Sequence, residues 1–278
     1  MSIESAKRAA ELTAIGLLAG ILENKKPDVA VILGSGWGDA LHLENAQELN
    51  FLEIPSFRRA SVRGLHGDER QIVCGELGGK RVIALRGPIH LNEHSSDPYI
   101  PIMVRLQVQI LLELGVTRFI LTNAAGSLTD KCLAGDIVIA DGFVTLFAPP
   151  MPLFGGEFCS PEDALSDNMR GIAMEARVLK NQEILLCHTG GYVMLRGPFF
   201  EGRKYDKALL ARSGALAVGM SILPEMCIIA LYPDTKALCL SFITNSVDEK
   251  HSHEKNLARV GKSSALLGAF LEDIIRKI

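Results

Sequence analysis

Apolar residues along the chain come in short β-branched bursts, separated by stretches where they recur every three or four positions. The burst Asp28-Val29-Ala30-Val31-Ile32-Leu33 runs into Gly34 and reads as a buried strand followed by a turn. Apolar runs at 71–74 and 81–85 flank Gly78-Gly79, the pattern of a hairpin. Residues 101–114 have a helical period, with Gly115 placed to cap it. Residues 118–122 read as a strand ending in a turn at Asn123-Ala124-Ala125-Gly126, and further strands are expected at 136–140, 191–195 and 237–243. The last helix carries Leu257, Val260, Leu267, Leu271 and Ile274 on one stripe. Because strands and helices alternate without repeat or linker, the expected fold is α/β. It is a single domain over 1–278, with a central mixed β-sheet flanked by helices. The Gly/Pro-rich stretch 148–163 is expected as a long surface loop, of a length that is often functional.

The apolar stretch at 12–22 follows Lys7 and Arg8, but Glu4, Glu11 and Glu23 surround it and no small-residue cleavage site follows. It reads as a first helix, not a targeting segment. The apolar stretch at 100–116 is broken by Arg105, Gln107, Gln109 and Glu113, so nothing is clean enough to span a bilayer. Hydrophobic residues make up 48% of the chain and charged residues 22%, enough for a sizeable core and against disorder. With 29 Lys plus Arg against 32 Asp plus Glu, the net charge of -3 gives no bulk attraction for nucleic acid. Any polyanion bound is therefore small and held locally. The six cysteines form no C-x-x-C pair and sit mostly in apolar runs, which points to buried thiols and a cytoplasmic setting, not to disulfides or zinc.

Two turns carry the first chemical hint. Gly34-Ser35-Gly36-Trp37-Gly38 directly follows the first strand, where glycines let backbone N–H groups close round an anion and Ser35 adds a hydroxyl. It departs from the dinucleotide pattern because the third glycine comes one residue early and Asp39 follows, and the Walker lysine is missing. Asn123-Ala124-Ala125-Gly126-Ser127 has small side chains that allow close approach of a ligand at the carboxyl end of a strand. Taken by themselves, both are equally readable as tight connections.

Five stretches in order make a more specific pattern. They are Gly34-Ser35-Gly36-Trp37-Gly38, Thr122-Asn123-Ala124-Ala125-Gly126, Gly197-Pro198-Phe199-Phe200-Glu201, Val218-Gly219-Met220-Ser221-Ile222-Leu223-Pro224-Glu225 and Ile243-Thr244-Asn245. Together, from about residue 32 to the C-terminus, they resemble the trimeric purine nucleoside phosphorylases, closest in pattern to the 6-oxopurine-specific enzymes. The resemblance implies a phosphorylase/nucleosidase-like fold and a homotrimer with sites near subunit contacts. It implies glycosyl transfer from inosine or guanosine to inorganic phosphate as co-substrate, with no cofactor and no metal, releasing free base and ribose 1-phosphate.

The same resemblance assigns roles. Ser35, the backbone of Ala124, Ser221 and His90 match phosphate-binding positions, with Glu93 orienting His90. Glu201 matches the acceptor for N–H groups on the base edge, and Asn245 the amide that faces N7 and O6 and stabilises charge on the leaving purine. His90, Glu201 and Asn245 are thus the catalytic candidates. Phe200 would pack on the base and Met220 on the ribose; Phe158 would reach a neighbouring subunit's site, and His253, with His251 as competitor, would meet the ribose 5′-hydroxyl. By composition alone, Phe200 and Met220 are equally readable as core, and His90 as a satisfied core histidine.

This chain departs from the family pattern in two stretches. Around His90, Gly-Arg-x-His-x-Tyr-Glu-Gly becomes Gly87-Pro88-Ile89-His90-Leu91-Asn92-Glu93-His94, so Pro88 and Asn92 stand where an arginine and a tyrosine are expected. Proline has no donor to offer phosphate. Arg86, two positions earlier on the strand, and Arg63 are the candidate replacements. Gly202-Arg203-Lys204-Tyr205-Asp206 also replaces the usual Thr-x-Ala-Glu. A catalytically impaired nucleoside-binding homologue with an altered phosphate site is therefore the alternative, and a hydrolase using water in place of phosphate is a third reading.

Overall fold

The computed structural model describes residues 3–57, 70–93, 97–176, 179–180, 183–197, 205–249 and 253–278. The first half holds α1 (Ile3–Ile21), β1 (Val29–Leu33), β2 (Glu44–Asn50), β3 (Gln71–Leu77), β4 (Lys80–Arg86), α2 (Tyr99–Glu113) and β5 (Arg118–Ser127). The second holds β6 (Ile137–Val144), α3 (Asp167–Glu175), the two-residue strands β7 (Leu179–Lys180) and β8 (Glu183–Ile184), β9 (Cys187–Met194), α4 (Asp206–Ala211), β10 (Ala217–Gly219), α5 (Leu223–Ile229), β11 (Lys236–Asn245) and α6 (His253–Lys277). This is the α/β order expected from the alternation of periods. The hairpin expected around Gly78-Gly79 is β3–β4, and both glycines have positive φ (58° and 80°), as its two-residue turn requires.

Among the described residues, nine strands form one mixed sheet in the order β10-β9-β6-β11-β5-β1-β4-β3-β2. β1 lies parallel between β4 and β5, and β11 runs parallel to β5. Alternation along β1 splits the core between the two faces. Ala30 and Ile32 join the cluster under α1, α2 and α5, while Val29, Val31 and Leu33 join the one under α3 and α6. The stripe on α6 behaves as expected, with Val260, Leu267, Leu271 and Ile274 all fully buried. No helix among the described residues is long and apolar enough to cross a membrane, and all six cysteines are free.

One expectation is overturned, and it shapes the site. Asn123-Ala124-Ala125-Gly126 is not a turn; β5 continues through it to Ser127. The small residues have little strand propensity of their own, so tertiary pairing decides. β11 pairs with them on one edge as far as Gly126, and β10 adds antiparallel at Ala217↔Ser127 and Val218↔Gly126. Since β10 also pairs with β9, strands β5, β11, β6, β9 and β10 close into a ring. Glycine is needed at the seam: a Cβ on Gly219 would stand 2.4 Å from the Tyr192 hydroxyl oxygen and 3.0 Å from Asn123 Nδ2.

Candidate active site

The glycine turn after β1 lies directly against β5. The Gly34 N–H donates to the Thr122 carbonyl at 3.1 Å, and a Cβ there would be 2.3 Å from that oxygen. Gly36 has φ +78°, and a Cβ on it would strike Val260 of α6 at 2.7 Å. Trp37, fully buried beneath, donates from Nε1 to the Asn123 carbonyl at 3.0 Å. Ser35, half-buried, is thereby held between Gly34, which lies against Thr122 of β5, and Gly36, which lies against Val260 of α6; Ala124, two residues further along β5, is also half-buried.

Ser221 is brought to the same strand ends by a residue the sequence did not single out. The Tyr192 hydroxyl on β9 accepts from Asn123 Nδ2 at 3.0 Å and from the Ser221 N–H at 3.4 Å. Burial raises the Tyr192 phenol well above its ordinary pKa, so it stays neutral. The next residue, Ile222, takes φ 75°, a costly conformation for a β-branched side chain. That strain sits where the Met220-Ser221 turn enters α5, and half-buried Met220 lies beside it.

His90 is presented by a loop locked from behind. Gln107 of α2, fully buried, accepts from the Ile89 N–H at 2.9 Å and donates to the Ile89 carbonyl at 3.0 Å. The His90 backbone N–H donates to Glu93 Oε1 at 2.7 Å, and Glu93 Oε2 pairs with Arg70 at 2.5 Å. Glu93 thus grips the backbone of His90. The ring is fixed by the Asn92 N–H, which donates to Nδ1 at 3.1 Å; a neutral imidazole so held carries its proton on Nε2. Arg70, fully buried, also donates to the Gly87 carbonyl at 3.3 Å and so braces this loop from inside.

Arg86, the candidate replacement for a phosphate arginine, is engaged within the sheet. It ends β4 opposite Leu33 of β1, donates to the Leu41 carbonyl at 2.8 Å and lies 3.5 Å from Glu48 of the edge strand β2. Arg63, Phe200, Glu201, Arg203 and His251 lie outside the described residues. His253 is the first residue of α6, and its side chain is not among those described.

Asn245 ends β11 just past a register shift and is almost fully buried opposite Gly126, whose missing Cβ leaves room for its amide. Along β5, Gly126 is two residues beyond Ala124, roughly 7 Å by strand rise. Asn245 Oδ1 is hydrogen-bonded inside the protein, at 3.2 Å to Thr244 Oγ1 and 3.4 Å to Asn256 Nδ2. Its Nδ2 is buried without a partner. A buried unpaired donor costs about 1–3 kcal/mol. Arg259 of α6 holds the strand end in place, donating to the Thr244 carbonyl and pairing with Glu249 at 3.0 and 3.1 Å.

Phe158 does not join this group within one chain and stands 94% exposed. Its loop is nonetheless anchored: Arg105 of α2 pairs with Glu157 at 2.5 and 2.6 Å and lies over the Phe154 ring. Among the described residues no group of three or more His, Cys, Asp or Glu is placed to hold a metal ion.

The family model of the phosphorylase superfamily matches residues 28–276, and the chain belongs to that superfamily. Within it, the chain belongs to the purine nucleoside phosphorylases. It is 36% identical to the mouse (Mus musculus) purine nucleoside phosphorylase over 232 residues, covering 80% of this chain and 77% of that one. A Schistosoma mansoni purine nucleoside phosphorylase, isoform 2, solved with cytosine and ribose-1-phosphate, superposes with TM-score 0.80 at 27% identity, covering 97% of this chain and 96% of that one. A purine nucleoside phosphorylase of the same organism solved with inosine gives TM-score 0.77 at 27% identity, with 97% and 98% covered.

Proposed function

We propose that the protein cleaves 6-oxopurine nucleosides, inosine and guanosine, with inorganic phosphate. A phosphate oxygen bonds to C1′ as the C1′–N9 bond breaks, and the bonding electron pair passes to the purine. Asn245 carries the reading. Its acceptor oxygen is occupied inside the protein and its buried Nδ2 is not, so it offers a hydrogen to an acceptor such as N7 or O6. That bond strengthens as negative charge reaches the base, so it favours the transition state over the ground state. Ser35, Ser221, the Ala124 backbone and the His90 Nε2–H supply donors for phosphate. Glu201 accepts from the base N–H, with Phe200 on the base, Met220 on the ribose and His253 at the 5′-hydroxyl. The inosine and ribose-1-phosphate complexes of the related structures support this substrate class.

The test is incubation of purified protein with inosine or guanosine and phosphate. Free base and ribose 1-phosphate in equal amounts, with no product when phosphate is omitted, are expected. Absence of product at high enzyme loading contradicts it, and turnover indifferent to phosphate identifies a hydrolase. Pro88, with Arg86 and Arg70 engaged elsewhere, favours one second reading: a homologue that binds nucleoside but turns over slowly. Calorimetric binding without turnover would establish that.

The assembly we infer is a cytoplasmic homotrimer. Leu146, Phe147, Phe154 and Phe158 present an exposed apolar surface on an anchored loop, suited to a neighbouring subunit's site. Sedimentation of the same preparation at the mass of one chain removes this part.

A further inference from the structure

Asn245 is useful for base selection only if its amide is held one way round. A primary amide presents a donor or an acceptor to the same point, depending on a half-turn about its last bond. If Nδ2 faces the purine, the amide matches an acceptor such as the 6-oxo group; if Oδ1 does, it matches the donor of a 6-amino group. What fixes the half-turn lies outside the residues that would touch substrate.

Thr244 is the first candidate, but its single hydroxyl proton is contested. Oγ1 lies 3.2 Å from Asn245 Oδ1 and 3.2 Å from the Ala125 carbonyl, and can fully serve only one at a time. Asn256 can hold Oδ1 even while it meets another partner. Its Nδ2 carries two protons and reaches Asn245 Oδ1 at 3.4 Å, with both side chains more than nine-tenths buried. Asn256 lies on α6, one helical turn after His253 and one before Arg259, which itself holds the Thr244 carbonyl. The docking of α6 against the end of β11 therefore carries the amide that orients Asn245.

We propose that Asn256 is a positioning residue for base selection: it holds Asn245 Oδ1 and so turns Nδ2 towards the purine. The proposal rests on the base-site reading given above. It also places the choice of base on the same helix that begins with His253, so seating α6 sets the ribose end and the base end of the site together.

The experiment compares hypoxanthine and adenine binding by calorimetry, at fixed phosphate, for the wild type, Asn256→Asp and Asn256→Leu. The carboxylate can only accept, so it draws Asn245 Nδ2 inward and turns Oδ1 to the base. The wild type is expected to prefer hypoxanthine. Asn256→Asp is expected to lower that preference roughly tenfold or more, and Asn256→Leu, which holds neither orientation, roughly three- to tenfold. The phosphate KM with inosine should stay within about twofold in Asn256→Leu, a readout that general loosening of the site would not spare. Leucine matches asparagine in heavy-atom count and branching but is larger, so a cooperative melt of that variant is checked first and keeps the test alive should the aspartate variant unfold. Variants that keep the wild-type ratio, or weaken both bases equally, overturn the proposal and leave the base site standing. A wild type that binds neither base, or prefers adenine, overturns the base-site reading and this proposal with it.

Discussion

Glu225 lies on α5, three residues after the strained Ile222, with its carboxyl fully enclosed and Oε2 without a partner. Burial pushes its pKa from 4.5 up to about 7, although its own backbone N–H pulls the other way. The folded pKa is the higher one, so between about 4.5 and about 7 the folded protein keeps a proton that the unfolded chain has lost. Stability must fall as pH rises through that window, by at most about 3 kcal/mol, and stay low above it. Glu225→Gln removes the titration. Denaturant unfolding at pH 5 to 8 should show a flatter profile than the wild type and a gain in stability near pH 8. Identical profiles would mean that Glu225 does not titrate in this range. Tyr192, Asn256 and Arg70 escaped the sequence reading for one physical reason. Each acts through a hydrogen bond to a partner on another element, and no spacing along the chain encodes that. Asn245 and Ser221 were legible only as parts of an ordered set of motifs.

At the scale of elements, the site is built by holding strand ends and loops from behind. The loop that presents His90 carries Pro88 and Asn92 and is held by a buried bracket from α2. Gln107 satisfies both backbone groups of Ile89. Gln107→Leu would orphan both at about 1–3 kcal/mol each. Its melting temperature should fall, and the phosphate KM should rise more than the nucleoside KM, because His90 shifts and Asn245 does not. Gln107→Glu retains the acceptor for the Ile89 N–H and should lie between. Equal changes in both constants would detach this bracket from the phosphate site. The periodic elements were readable: the β3–β4 hairpin, α2 and the buried stripe of α6 fall where hydrophobic spacing puts them. The stretch 123–126 was not, since Asn, Ala and Gly are strand only because β11 and β10 pair with them.

For the whole molecule, closure of β5, β11, β6, β9 and β10 into a ring brings segments far apart in sequence to neighbouring strand ends. It sets the Ser35 turn, the Ala124 backbone, Ser221 and Asn245 around the same strand ends. The fold class was legible in the alternation of periods, while the ring was not, because β10 is only three residues long and pairs with β5 out of chain order. The most direct measurement is a crystal structure of the protein soaked with hypoxanthine and sulfate. The account predicts Asn245 Nδ2 within hydrogen-bond distance of N7 or O6, and the anion touching Ser35 and Ser221. A purine bound elsewhere, or Asn245 presenting Oδ1 to the ring with no anion beside Ser35, would contradict it.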